Sequence, residues 1–286
     1  MAVEITYTAI CRNNQLFIFD GLSEGESQTG RRLHEDVTDF ANSIGRYNYC
    51  TRYVVKNRIT LVAYLKAIES ECKAGVLLPA LHFECHGEEE KGLWLAASKE
   101  YIPWPDLASL IAPVNAATRN NVSVILASCE SFKMSESVDI QFPCPFHFLI
   151  APNQEIEAGT TQGSLLPFYK EIVLSGQLNK ALTHLDFRFK RFIAGEWFYV
   201  RIANFYANHY SAKDKEEIMN QMIDNEVAKV GYSNRQLIRS IRPQIKRSLS
   251  DPKNFYQTVE RRFFHGHAHV PYADMRRFID DQKASK

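Results

Sequence analysis

A histidine and a cysteine, which together can perform nucleophilic catalysis, each follow an apolar run that is typical of a buried strand. His86 comes directly after LHFEC, and Cys129 comes directly after SVILAS. Because the carboxyl ends of parallel strands meet at the same edge of a sheet, we expect the two side chains to lie close together. An imidazole beside a thiol favours the thiolate and holds the proton that a leaving amine needs. The pair therefore predicts a catalytic dyad with Cys129 as the nucleophile.

The glycine after His86 extends this chemistry. Since Gly87 has no side chain, a substrate backbone could approach it, and its amide together with that of Cys129 could form an oxyanion hole. Cys85 precedes His86 in the same run, and alternation along a strand turns it to the opposite face. We therefore expect Cys85 to be a packed thiol and His82 to be a core residue.

Acidic residues in the loops after the last two predicted strands are candidates for the substrate pocket. Asp139 follows the strand that ends in Cys129, and Glu155 and Glu157 follow the next apolar run, FHFLIAP. A carboxylate at the base of a pocket would select Arg or Lys before the scissile bond. An arginine before the first predicted helix, Arg31 or Arg32, would select Asp instead, and both possibilities stay open.

The elements that would position these residues alternate between strand and helix. Apolar runs predict strands over 15–20, 51–55, 78–85, 121–129 and 146–152. Apolar residues at helical spacing predict helices over 33–44 and 60–73 and a third that carries Leu166, Tyr169, Ile172 and Val173. Near-continuous apolar runs are typical of strands buried on both faces. The sequence therefore predicts an α/β fold, a mostly parallel sheet flanked by helices with a C-terminal helical extension.

Charge and hydrophobic period both change along the chain. From Phe187 onward there are 19 basic and 11 acidic residues, against 15 and 22 before it. This predicts a domain over 1–184 and a basic, aromatic-rich helical region over 185–286 that regulates the first domain or docks a protein partner. The basic segment QLIRSIRPQIKRSL has no interleaved aromatic residues and no known reader motif, so we do not expect direct contact with nucleic acid.

Composition narrows the class of protein. The six cysteines of this 286-residue chain are scattered without a CxxC pair, which favours a reducing cytoplasm. The sequence shows no leader pattern and no apolar run of membrane-spanning length, so we expect no membrane contact. His265, His267 and His269 alternate but lack an evident fourth ligand, and no glycine-rich phosphate loop follows the first strand. We therefore expect neither a metal nor another cofactor, and a nucleotide binder is disfavoured.

Three segments, in order along the chain, resemble the caspase-like peptidases, most closely the CHAT branch found with separases and many bacterial proteins. LHFECHGEEEKGLWLA resembles the histidine block of that family, and VSVILASCES resembles its cysteine block. FYKEIVLSGQLNKAL resembles the helix-Gly-helix segment that closes CHAT domains. The resemblance covers roughly residues 15–185, although the flanks of Cys129 depart from the caspase pattern Q-A-C-[RQG]-G.

The resemblance implies that His86 and Cys129 are the dyad and that the loop after 146–152 helps to form the pocket. It also implies regulated proteolysis, such as a bacterial defence or cell-death-like response. Together these features predict a cytoplasmic cysteine endopeptidase that cleaves a protein substrate through an acyl-enzyme. The alternative is a catalytically inactive caspase-like module that docks a partner protein.

Overall fold

The computed structural model describes residues 10–208, 212–230, 235–267 and 270–284, so His269 lies outside the described residues. The chain divides into two compact units, with the boundary between Glu196 and Trp197. All strands of the described residues belong to the first unit. None of the described helices is long and apolar enough to cross a membrane.

The first unit is built on a six-stranded, mostly parallel sheet. Its strands and those of a smaller sheet are Gln15–Asp20 (β1), Cys50–Val54 (β2), Pro79–Glu84 (β3), His86–Glu88 (β4), Gly92–Leu95 (β5), Glu100–Ile102 (β6), Ser123–Leu126 (β7), Phe148–Pro152 (β8) and Phe189–Ile193 (β9). The order in the large sheet is β2-β1-β3-β7-β8-β9, and of the described strand pairs within this sheet only β8–β9 is antiparallel. The predicted α/β class and mostly parallel sheet are confirmed.

Helices cover both faces of this sheet. They are Thr29–Ser43 (α1), Arg58–Lys73 (α2), Trp104–Ala117 (α3), Ala158–Ser175 (α4) and Leu178–Leu182 (α5), with a 3₁₀ helix over Ser131–Ser137. On one face, Leu33 of α1 and Phe168 of α4 share an apolar core with Ile18 of β1. On the other face, Tyr64 of α2 stacks on Tyr53 of β2. The central strands are therefore buried on both sides, which explains their near-continuous apolar sequences.

A small antiparallel sheet, β4-β5-β6, follows directly from β3. Cys85 alone separates the end of β3 from the start of β4 at His86. Gly92 begins β5 with a φ of +103°, and a Cβ there would lie 2.1 Å from the Ile102 carbonyl oxygen, so only glycine fits. The sequence did not predict this sheet, because strands of three or four residues are too short to show a period.

The second unit is helical among the described residues. Its helices are Ala194–Asn208 (α6), Ala212–Val230 (α7), Arg235–Ser250 (α8), Pro252–Phe263 (α9) and Tyr272–Ala284 (α10), of which α6 begins before the boundary. Phe198 and Phe263 contact each other in its core. The buried carboxylate of Glu260 accepts hydrogen bonds from the hydroxyls of Tyr199 and Tyr256, each at 3.1 Å.

The last strand of the sheet lies in the region for which the sequence predicted only helices. β9 pairs with β8 and buries Phe189, Phe192 and Ile193, because they face the core of the first unit. The predicted boundary near residue 184 therefore falls before the end of the sheet, and the compact unit continues to Glu196.

A buried ion pair joins the carboxyl ends of β1 and β2. The Oδ2 atom of Asp20 accepts hydrogen bonds from Arg52 at 2.8 and 2.7 Å, and Oδ1 accepts one from the Leu22 amide at 3.2 Å. Asp20 is 3% exposed, so these partners replace the water that would otherwise solvate its carboxylate.

We expect Arg52→Met to lower the free energy of unfolding by about 3 kcal/mol, because it leaves the Asp20 carboxylate buried without its cation. The matched control is Arg58→Met, whose pair with Asp106 is 43% exposed on both sides and should contribute less than about 1 kcal/mol. Urea unfolding of both variants measures the difference. Equal losses would contradict a special role for the Asp20 pair.

Candidate active site

The register of the central strands puts His86 and Cys129 at matching positions beyond the sheet. β3 and β7 are parallel neighbours, with Phe83 opposite Leu126. His86 is the third residue after Phe83, and Cys129 is the third residue after Leu126. Both segments leave the sheet at the same edge, and both residues line one cleft of about 430 Å³. The sequence prediction that these two residues converge agrees with this placement.

The cleft is formed by four segments that meet at the carboxyl edge of the sheet. They are the loop after β1, the end of β3 with the start of β4, the residues after β7, and the segment from Ile156 into the start of α4. Loops at this edge of a parallel sheet are where ligands bind in open α/β folds. The cleft therefore lies where the fold class leads us to expect a functional site.

Because Gly87 has no side chain, the backbone of β4 can lie close to the backbone of the turn that contains Cys129. A Cβ on Gly87 would lie 2.4 Å from the carbonyl oxygen of Cys129 and 3.1 Å from the Cβ of Ser128. The sequence predicted that the missing side chain makes room for substrate. In the structure the backbone of Cys129 occupies that space, so a glycine is required at position 87 for the two backbones to pack together.

Cys129 lies in a tight turn between β7 and the 3₁₀ helix. Its thiol is half-buried, and Sγ lies 3.8 Å from the carbonyl oxygen of Ile156. The next residue, Glu130, has a φ of +55°, which is uncommon for a residue with a side chain. The backbone amide of Cys129 donates to no acceptor in the described part of the chain. It is therefore free to stabilise an oxyanion.

The other five cysteines are buried. Burial raises the pKa of Cys11, Cys50, Cys72 and Cys144 to about 12, and it raises the pKa of Cys85 as well. The predicted packed thiol of Cys85 is confirmed by its 3% exposure.

A carboxylate that the sequence analysis did not identify holds the imidazole of His86. Nε2 of His86 lies 2.6 Å from Oε1 of Glu26, and Oε2 accepts a hydrogen bond from the Ser23 amide at 2.6 Å. Burial alone would raise the pKa of Glu26, but the hydrogen bonds from Ser23 and His86 outweigh it and lower this pKa. The signal in the sequence is an acidic residue in GLSEGESQTG, a loop that leaves the sheet at the same edge.

The imidazole and the thiol do not hydrogen-bond to each other among the described contacts. Nε2 of His86 contacts Glu26, and Cys129 contacts Ile156 instead. Nδ1 is therefore the ring nitrogen that remains for transfer of the thiol proton. Such catalytic hydrogen bonds are often long without substrate and shorten in its complex.

A second unforeseen carboxylate, that of Glu84, lines the cleft from the end of β3. The Thr29 hydroxyl donates to Oε1 at 2.5 Å, and His82 Nε2 lies 2.7 Å from Oε2. His82 is fully buried, and its Nδ1 lies 2.9 Å from the Tyr169 hydroxyl. The network fixes the orientation of a carboxylate that is 5% exposed.

The three predicted pocket carboxylates lie outside the cleft lining. Asp139 accepts a hydrogen bond within its own turn, and Glu155 and Glu157 are exposed. Ile156, between the two glutamates, does line the cleft. The loop after β8 thus reaches the site through an apolar side chain and a carbonyl group. Arg31 is outside the lining too, where it pairs with Glu35.

No protein-family model and no curated protein matches this chain. Among the described residues, no cluster of three or more His, Cys, Asp or Glu side chains could hold a metal ion. The geometry of the cleft therefore carries the functional assignment.

We expect Gly87→Ala to lower the free energy of unfolding by about 1–3 kcal/mol and to change the alkylation rate of Cys129, because the new methyl group would collide with the Cys129 carbonyl. The matched control is Gly25→Ala in the cleft loop, where nothing lies within 4 Å of the added carbon. Urea unfolding and mass spectrometry after iodoacetamide treatment measure both effects. Unchanged alkylation in Gly87→Ala would contradict the coupling of the two backbones.

Proposed function

We propose that this chain is a caspase-like cysteine endopeptidase, closest to the CHAT branch, that cleaves a protein substrate through an acyl-enzyme on Cys129. One observation carries the proposal. His86 and a half-buried Cys129 line the same cleft at the carboxyl edge of a parallel sheet, and a carboxylate holds the imidazole. A base, a thiol and a group that orients the base are the parts that Cys/His catalysis needs.

The chain's own residues supply each step of the reaction. His86 accepts the thiol proton, and Sγ of Cys129 bonds to the carbonyl carbon of the scissile peptide. The amides of Gly87 and Cys129 stabilise the oxyanion. The carbon–nitrogen bond then breaks as His86 returns the proton to the leaving amine, and water, deprotonated by the same imidazole, hydrolyses the thioester.

Glu26 is a positioning residue in this scheme. Its carboxylate occupies Nε2 of His86, so Nδ1 is left to take the proton, and it stabilises the imidazolium that forms. The second carboxylate oxygen is held by the Ser23 amide, which keeps Glu26 from rotating freely. The lowered pKa of Glu26 keeps this group charged at neutral pH.

We infer that the substrate residue before the scissile bond is Lys or Arg. Glu84 supplies a fixed carboxylate to the cleft, and the lining contains neither Lys nor Arg that would attract an Asp. Glu84 thus takes the role that the sequence assigned to Asp139, Glu155 or Glu157.

The cellular setting that we propose is the cytoplasm, where the six free thiols remain reduced. The resemblance to CHAT domains supports regulated proteolysis, such as a bacterial defence response, with a regulatory protein partner. The alternative is an inactive interaction module.

We expect Cys129→Ala and His86→Ala each to abolish cleavage of a fluorogenic peptide series that varies the residue before the scissile bond. Either change removes a group that touches the reacting atoms. Cys85→Ala is the matched control and should keep activity, because its thiol is buried. Purified full-length chain, alone and with cell extract as a source of activator, is assayed for release of the fluorophore.

The same peptides test substrate choice, and Lys or Arg before the cut should be preferred. Preference for Asp would contradict the role of Glu84. Cleavage by Cys129→Ala at the wild-type rate would contradict the dyad. Failure of an electrophilic peptide probe to label Cys129 under any of these conditions would favour the interaction module.

We expect Glu26→Gln to lower kcat by about 10- to 100-fold with a smaller change in KM, because an amide orients the imidazole but does not stabilise its charge. Glu24→Gln, the same change at an exposed position of the same loop, is the control. Increased activity in Glu26→Gln would mean that Glu26 sequesters His86 rather than positions it.

A further inference from the structure

Helix α8 carries a row of cations on one face. Arg235, Arg239, Arg242 and Lys246 follow one another at intervals of four, three and four residues, and this spacing places them on the same side of a helix. At a rise of 1.5 Å per residue the row is about 16 Å long. The helix contains no acidic residue that could neutralise it.

These four side chains are exposed, and none has an ion pair or hydrogen bond with another described residue. The two arginines of α10 differ from this row. Arg276 and Arg277 on α10 pair with Asp280 and Asp274. The row on α8 is therefore a concentrated positive surface whose counter-charge must come from outside the described residues.

The surroundings of the row limit what it can bind. The apolar side of α8 is turned inward, where Ile245 is buried, so it is not available for insertion into a membrane. All exposed large apolar side chains of the described residues lie in the first unit. Protein interfaces generally have an apolar core, and the described side chains of α8 present none.

We propose that the α8 row binds the phosphate backbone of duplex nucleic acid without sequence preference. Each strand of a duplex carries one phosphate per 3.4 Å of helix axis, so every cation of the row can meet a phosphate. α8 contains no aromatic residue on which the bases of a single strand could stack. The lack of aromatic residues and of a reader motif argued against nucleic acid in the sequence, but contact with a duplex backbone requires neither.

The test measures fluorescence anisotropy of labelled 20-base-pair DNA and RNA duplexes of mixed sequence with the full chain. Four phosphate contacts predict a slope of about −3.6 for the logarithm of the binding constant for DNA against that of salt concentration. This corresponds to a loss of roughly 100-fold in affinity between 50 and 200 mM salt. Sequence-scrambled duplexes should bind equally well.

The decisive variant replaces Arg235, Arg239, Arg242 and Lys246 with Gln, which preserves helix propensity. Its binding should be lost, and single replacements should each reduce the salt slope by about 1. A control variant removes the same number of charges from the same unit, with Lys253, Arg261, Arg276 and Arg277 replaced by Gln, and should bind like the wild type.

Circular dichroism confirms that both variants are folded. The proposal is overturned if the wild type does not bind duplexes at 50 mM salt, or if the two quadruple variants lose affinity equally. It is also overturned if vesicles containing anionic lipid bind the row and duplexes do not. The outcome is independent of peptidase activity, since both quadruple variants keep His86 and Cys129.

Discussion

The parallel register between β3 and β7 is the constraint on which the site depends. With Phe83 opposite Leu126, three further residues on each side bring the chain to His86 and Cys129. A slip of one residue would move one of them by about 3.3 Å and turn its side chain to the other face. Both Phe83 and Leu126 are fully buried, so a slip would also expose apolar area, and the core therefore maintains the relative positions of His86 and Cys129.

Three carboxylates converge at the same sheet edge, and each of them contacts a basic side chain. Asp20 is neutralised by Arg52, and Glu84 contacts the buried ring of His82. Glu26, in the loop above, has His86 as its partner. A buried carboxylate without such a partner would take up a proton or destabilise the fold. Each of the three carboxylates beside the cleft thus has a partner within hydrogen-bond distance.

The strands, and the convergence of His86 and Cys129 on one cleft, were predictable because long apolar runs indicate burial on both faces and the fold class then indicates the edge at which the chain leaves the sheet. The contact between Glu26 and His86 was not predictable, because the two residues are 60 positions apart and their hydrogen bond leaves no local sequence pattern. For the loop after β8, the sequence indicated the right segment but the wrong side chains, as Ile156 and not its acidic neighbours reaches the cleft. β9 was missed because a single short edge strand among helices has too few residues for its period to be recognised.

The difference in exposure between Cys85 and the two residues of the proposed dyad follows from the point where β3 ends. Cys85 and His86 are adjacent, but Cys85 packs so closely that a Cβ on Gly21 would lie 2.8 Å from its sulfur, and burial raises the pKa of this thiol. A thiolate needs solvation or a nearby positive charge, and Cys85 has little solvent. His86, one residue later, is exposed, because the chain leaves the buried sheet at this step. The same exit that exposes the imidazole therefore leaves Cys85 buried, and the half-buried Cys129 is the thiol that fits the proposed reaction.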